Sequence, residues 1–127
     1  MREEVTKWFE QAQEDFITAR ILYEEKRYYA AVIFSQQSAE KALKAVFVFL
    51  EGKNPPKIHD LAELSRLVGA TQNIFSQSEK LTVTYLSSRY PGATPEIPAK
   101  FYTKEKAKHH LKEAEVILEW SEKKIQL

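Results

Sequence analysis

The chain has 127 residues, with 19 Lys and Arg against 18 Asp and Glu, and no cysteine. A net charge of +1 argues against a protein that lives on non-specific phosphate attraction, which normally carries a large basic excess, so any anion site must be local. The lack of cysteine removes disulfides, thiolate metal sites, iron–sulfur clusters and a cysteine nucleophile together.

Three glycines and five prolines are poor in turn chemistry for a sandwich or barrel, and 43% hydrophobic with 29% charged residues is neither a disordered nor a membrane composition. The expectation is one compact, all-helical domain spanning residues 1–127. No apolar signal-peptide core follows Met1, and the longest apolar stretch, residues 45–50, falls far short of the roughly 20 residues that cross a bilayer. A cytoplasmic protein with no membrane partner is expected.

In chain order, residues 3–25 place Val5, Trp8, Phe9, Ala12, Phe16, Ala19, Leu22 and Tyr23 on one helical face. Residues 27–51 form a second helix with a stripe of small residues, Ala31, Ser35, Ser38, Ala42 and Ala45. Such a stripe lets another helix approach closely, which marks this as the central helix of a bundle. Gln37, Glu40, Lys41 and Lys44 form its polar edge, with Glu40 and Lys44 in the favourable i, i+4 order. Gly52 and the Pro55-Pro56 pair end it. Asp60 is a plausible N-cap for a short helix to about residue 68.

Ser76-Gln77-Ser78-Glu79 has the capping-box pattern, which predicts a helix running on to about residue 88. The β-branched run within residues 81–86 makes a strand the competitor, disfavoured because no partner strand is evident. Residues 89–102, with Pro91, Gly92, Pro95 and Pro98, read as a long irregular loop. Thr103 caps a last helix over residues 104–124, whose inward stripe is expected to be Ala107, Leu111, Ala114, Leu118 and Ile125. Three long and two short helices then make an antiparallel up-and-down bundle.

No glycine-rich phosphate loop is present. His109 and His110 are adjacent, about 100° apart on a helix, so they cannot share one ion and read as a solvated pair. No metal or other cofactor is expected. What remains is a set of polar residues at odd places: Asp15 in the first helix, Glu40, Lys41 and Lys44 in the second, His59 at a helix entry, and Arg89, Tyr90 and Tyr102 around the proline-rich loop. Arg suits bidentate phosphate binding, Tyr85, Tyr90 and Tyr102 could stack on a base, and His59 has the intrinsic pKa for proton transfer. A structural role competes for each: Lys44 can simply pair with Glu40, His59 can cap its loop, and Arg89 can tie the loop to a helix end.

The order of these residues resembles the HEPN domains (higher eukaryotes and prokaryotes nucleotide-binding). The resemblance lies in Trp8-Phe9, Ala12, Asp15-Phe16 and Ala19, then Tyr28-Tyr29-Ala30-Ala31, then the run from Ser38 through Glu40-Lys41 to Lys44-Ala45. Ile58-His59-Asp60-Leu61 and Ser88-Arg89-Tyr90-Pro91 complete it. It implies a self-associating helical bundle, typically a homodimer, from the cytoplasm of a prokaryote. Such proteins are often encoded beside a small nucleotidyltransferase in a toxin–antitoxin-like pair.

Many members are metal-independent ribonucleases that pair an Arg with a His four to six residues later. This chain departs there, because Tyr90 to Pro95 contains no His and the next ones are His109 and His110. The leading expectation is a nucleotide- or RNA-binding module whose ligand residues are Asp15, Glu40, Lys41, Lys44, His59, Arg89, Tyr90 and Tyr102. The alternatives are a ribonuclease using Arg89 with a His from elsewhere, and a non-catalytic assembly protein anchored by Trp8, Phe9 and Trp120.

Overall fold

The computed structural model describes residues 2–126. Its helices are α1 (Arg2–Glu24), α2 (Tyr28–Glu51), α3 (Leu61–Leu67), α4 (Gln72–Thr82), α5 (Thr84–Ser87), α6 (Pro98–Phe101) and α7 (Lys104–Ile125). A 3₁₀ turn, Pro91–Ala93, lies between α5 and α6. No strand occurs among the described residues, and none of their helices is long and apolar enough to cross a membrane.

α2 is the axis of the bundle and packs against α1, α7 and α3. Its small stripe behaves as expected, since Ala31, Ser35, Ser38, Ala42 and Ala45 are fully buried. Ser38 shows how close α1 comes: its hydroxyl donates across the interface to the carbonyl of Ala12, at 2.7 Å. The core beside it is built from Val5, Phe9, Phe16, Leu43, Val46, Leu61, Leu64, Leu81 and Ile117. α2 stops where Gly52 takes a left-handed φ of 64° and its N–H caps the Val48 carbonyl, a conformation that glycine adopts without a Cβ clash. Asp60 caps α3 by accepting from the N–H groups of Ala62 and Glu63.

Four expectations are corrected. The Ser76 capping box does not form, because α4 starts earlier, with Thr71 as its cap and Ser76 inside the helix. That earlier start lets Ile74, Ser78 and Leu81 face inward together. The helix expected to run unbroken to residue 88 is interrupted between α4 and α5. Here hydroxyls compete for backbone carbonyls: Thr84 bonds Leu81, Ser87 bonds Val83 and Ser88 bonds Thr84. The proline-rich loop contains α6, with Pro98 in its first turn. On α7, Leu111 and Leu118 are only partly buried, and Ile117 and Ser121 join Ala107, Ala114 and Ile125 on the inward line. That line is rotated because α7 packs against both α2 and α4.

The α1–α2 approach gives a packing test. Ser38→Leu is expected to destabilise the fold by about 1–3 kcal/mol or more through overpacking. Ser38→Ala, which removes only one hydrogen bond to Ala12, should cost about 1 kcal/mol. Urea unfolding of the two variants checks the order.

Candidate functional site

α2 carries Gln36, Glu40 and Lys44 one turn apart, and all three are buried. Of the polar edge expected on this helix, Glu40 and Lys44 are buried rather than at the surface. The ladder faces the entry to α3 and the α5 segment. Glu40 is its hub: Gln36 Nε2 donates to the carboxylate at 3.1 Å and Lys44 Nζ at 3.0 Å. His59 Nδ1 lies 3.1 and 3.2 Å from its two oxygens. Burial pushes this carboxyl up, but donation from Lys44, Gln36 and His59 and the Lys44 charge outweigh it, and the net effect holds Glu40 below its usual range. An ionised carboxylate can only accept, so Nδ1 of His59 carries the hydrogen and Nε2 is the nitrogen a ligand can use. The His59 side chain is 54% exposed.

Arg89 reaches the same cluster from the end of α5. Its Nη2 donates to Gln36 Oε1 and its Nη1 to the Tyr85 carbonyl, each at 3.0 Å. Its guanidinium carbon lies 4.2 Å from the centre of the Tyr85 ring. His59 stacks on that ring too, at 4.5 Å and 14° between planes. Burial draws the Arg89 pKa down, opposed by Tyr85, Glu40 and Tyr90, and a guanidinium starting so high stays charged. Gln36 also donates to the His59 carbonyl, at 3.4 Å. One amide and one aromatic ring therefore bring Arg89 and His59 together.

A second pair adjoins the first on α2. Lys41 Nζ contacts the buried carboxylate of Asp15 at 2.5 Å, and Gln11 donates to the other Asp15 oxygen at 2.9 Å. Between the two pairs, Lys44 Nζ sits 5.7 Å from the centre of the Trp8 ring.

Six of the eight expected site residues thus fall in two adjoining groups: Glu40, Lys44, His59 and Arg89 in one, Asp15 and Lys41 in the other. Tyr102 falls outside both, and Tyr90, next in sequence to Arg89 and acting on its charge, makes no side-chain hydrogen bond or ring contact within them. Tyr90 is 53% exposed. Tyr102 is buried in a separate cluster with Val32 and Ala107. Its hydroxyl is 2.5 Å from that of Ser87, and burial pushes its pKa up. A ring enclosed in this way cannot stack on a base.

The histidine pair is not uniformly solvated either, since His110 Nδ1 contacts the buried Glu113 at 2.7 Å while His109 is exposed. Phe9 is buried, and Trp8 and Trp120 pack partly against the core. Gln36 and Tyr85 are the members of the cluster that the expected site omits. Their signal is the four-residue spacing, Gln36 to Glu40 and Tyr85 to Arg89. Among the described residues no group of three or more His, Asp or Glu side chains is placed to hold a metal.

A bundle organised on one central helix, with a charged ladder open to solvent through a histidine and an arginine, defines a helical module with a polar site on its central helix. The chain matches the HEPN domain over residues 5–125 and belongs to that family. Two solved structures share the fold. The crystal structure of ST0689, an archaeal HEPN homologue, is 30% identical and superposes with a TM-score of 0.82, covering 95% of this chain and 97% of that one. The crystal structure of TT1696 from Thermus thermophilus is 29% identical, with a TM-score of 0.84 and coverage of 94% and 97%. No curated protein matches the chain.

The depressed Glu40 carboxyl links the site to stability. A carboxyl whose folded pKa is lowered stabilises the fold above the ordinary carboxylate range, and that contribution fades as pH falls through the folded value. Glu40→Gln is expected to flatten this acid limb. It should also be less stable than wild type at neutral pH, because buried Lys44 loses its charged partner. Urea midpoints measured from neutral pH into the acid range check both.

Proposed function

We propose that the cluster of Arg89, His59, Tyr85, Glu40 and Lys44 binds a nucleotide or a short single-stranded stretch of RNA. In this reading the chain acts in the cytoplasm of a prokaryote as a homodimer beside a small nucleotidyltransferase, in a toxin–antitoxin-like pair. The observation that carries the binding reading is the placement of Arg89 and His59 against one tyrosine ring, tied together by Gln36. Arg89 spends two of its five N–H groups inside the protein, and it is only partly buried, which leaves donors for a phosphate. His59 offers Nε2 and an exposed ring edge. Lys44 is committed to Glu40 and acts by charge rather than contact.

Isothermal titration with adenosine nucleotides and short RNAs tests this reading. Wild-type protein is expected to release heat, and Arg89→Ala to weaken binding about tenfold to a hundredfold, the cost of charge-assisted hydrogen bonds. With so few free cations, the salt dependence should be shallow, about −0.7 in log–log slope per phosphate contacted on a single strand. No heat with any of these ligands, or affinity unchanged in Arg89→Ala, overturns it.

The same placement favours a second reading, metal-independent RNA cleavage. The 2′-oxygen attacks the adjacent phosphorus and its proton passes to His59 Nε2. The bond to the 5′-oxygen breaks, that oxygen takes the proton, and a 2′,3′-cyclic phosphate remains. In this reading Arg89 meets the charge that builds on the phosphoryl oxygens, and Glu40 orients the imidazole. Cleavage of structured RNA in the presence of a chelator, reduced about a hundredfold or more in His59→Ala, supports this reading. RNA left intact by wild-type protein sinks it.

A further inference from the structure

An open cleft of about 290 Å³ lies between α1 and α2, lined by Glu4, Lys7, Trp8, Gln11 and Lys41. No residue of the Arg89–His59 cluster lines it. We propose that this cleft is a nucleobase subsite, in which a base stacks on the indole of Trp8 and is read along its edge by the polar side chains around it.

Three features carry the assignment. The first is the aromatic wall. Every base has a π-face, so an indole accepts any of them. Trp8 is half-buried and packed against the core, and Lys44 lies over its ring. Little ordering remains to be done when a ligand arrives, which is what favours binding at a preformed surface.

The second feature is the balance of the rim. Glu4 and Lys7, opposite in charge, both line the cleft, and Lys41 is neutralised by Asp15 at 2.5 Å. A rim of matched charges does not attract a phosphate. It does offer donors, from Lys7, Lys41 and Gln11, and an acceptor, from Glu4, to the mixed edge of a base. Gln11 and Lys41 are both held by the Asp15 carboxylate, so the donors are fixed in place.

The third feature is continuity. Lys44 Nζ is 3.0 Å from Glu40 and 5.7 Å from the Trp8 ring centre, and Glu40 is 3.1 Å from His59. The cleft and the Arg89–His59 cluster are thus neighbours along one strip of α2. A phosphate at Arg89 and a base on Trp8 can belong to nearby nucleotides of one strand. This is a reason to prefer an oligonucleotide over a single nucleotide as the ligand, and it rests on the nucleotide-binding reading above.

The chain has two tryptophans, so Trp120→Phe leaves Trp8 as the sole indole reporter. In that background, titration with oligo-adenylate is expected to quench Trp8 emission saturably, and AMP to quench it more weakly. Trp8→Leu should lower oligo-adenylate affinity about five- to a hundredfold, Trp8→Phe should restore part of it, and circular dichroism confirms that each variant folds. If oligo-adenylate binds with Arg89 dependence while Trp8 emission stays constant and Trp8→Leu binds like wild type, the subsite is wrong and the Arg89 site stands. If Trp8 is quenched but Arg89→Ala binds unchanged, the cleft stands and the Arg89 reading falls. If neither heat nor quenching appears, both are overturned.

Discussion

A carboxylate withdrawn from water needs hydrogen-bond donors and a compensating charge, or its ionised form becomes prohibitively costly. Glu40 meets that demand with an amide and an ammonium from its own helix and an imidazole from another segment. The amide and ammonium come at no topological cost, since i−4 and i+4 neighbours on a helix face the same way. The imidazole fixes tertiary structure, because the chain between α2 and α3 must return His59 to the middle of α2. Pro55-Pro56, the Gly52 cap and the Asp60 cap then become parts of one task, the delivery of an imidazole to a buried charge. Gln36 extends the same demand outward, with its nitrogen on Glu40 and His59 and its oxygen on Arg89.

α2 therefore faces two ways with different chemistry. One side is small and apolar enough for α1 to come within hydrogen-bond distance of Ser38. The other carries a charged ladder that is buried yet satisfied. Close packing of α1 also seats Trp8 next to Lys44 and Asp15 next to Lys41. Affinity at such a surface comes from few groups, which suits a chain whose charges nearly cancel.

How much of this could be read in advance depends on the range of the interaction concerned. α1, α2, α3 and α7 are legible because their apolar spacing and their caps at Asp60, Gly52 and Thr103 are local signals, and the bundle follows from them. The Glu40–Lys44 pair is legible for the same reason. The meeting of His59 and Arg89 is not, since it depends on long-range contacts through Gln36 and Tyr85, and neither the spacing of Gln36 nor the aromatic ring of Tyr85 points to those partners. Ser76 misled because a capping box is short and recurs by chance, whereas Thr71 won by aligning Ile74, Ser78 and Leu81 with the core. Tyr102 misled because aromatic character does not distinguish a ring in a cleft from one in the core. The break after Thr82 was visible only as a density of hydroxyls and β-branched residues, which a strand would also show.

The Ser87–Tyr102 contact gives the proline-rich segment a particular freedom. It clasps the chain on both sides of Arg89 and the loop, so the loop's two ends are anchored independently of what lies between them. Arg89 is held by Gln36 and Tyr85 upstream of that segment, and α7 starts from its own Thr103 cap downstream. Because closing a loop costs only slowly more as it lengthens, residues 91–96, ahead of α6, can gain or lose length with little penalty to the bundle. The fold thus sets a length-tolerant strap beside an arginine whose hydrogen bonds do not involve it, so the neighbourhood of the site can change while its geometry stays fixed.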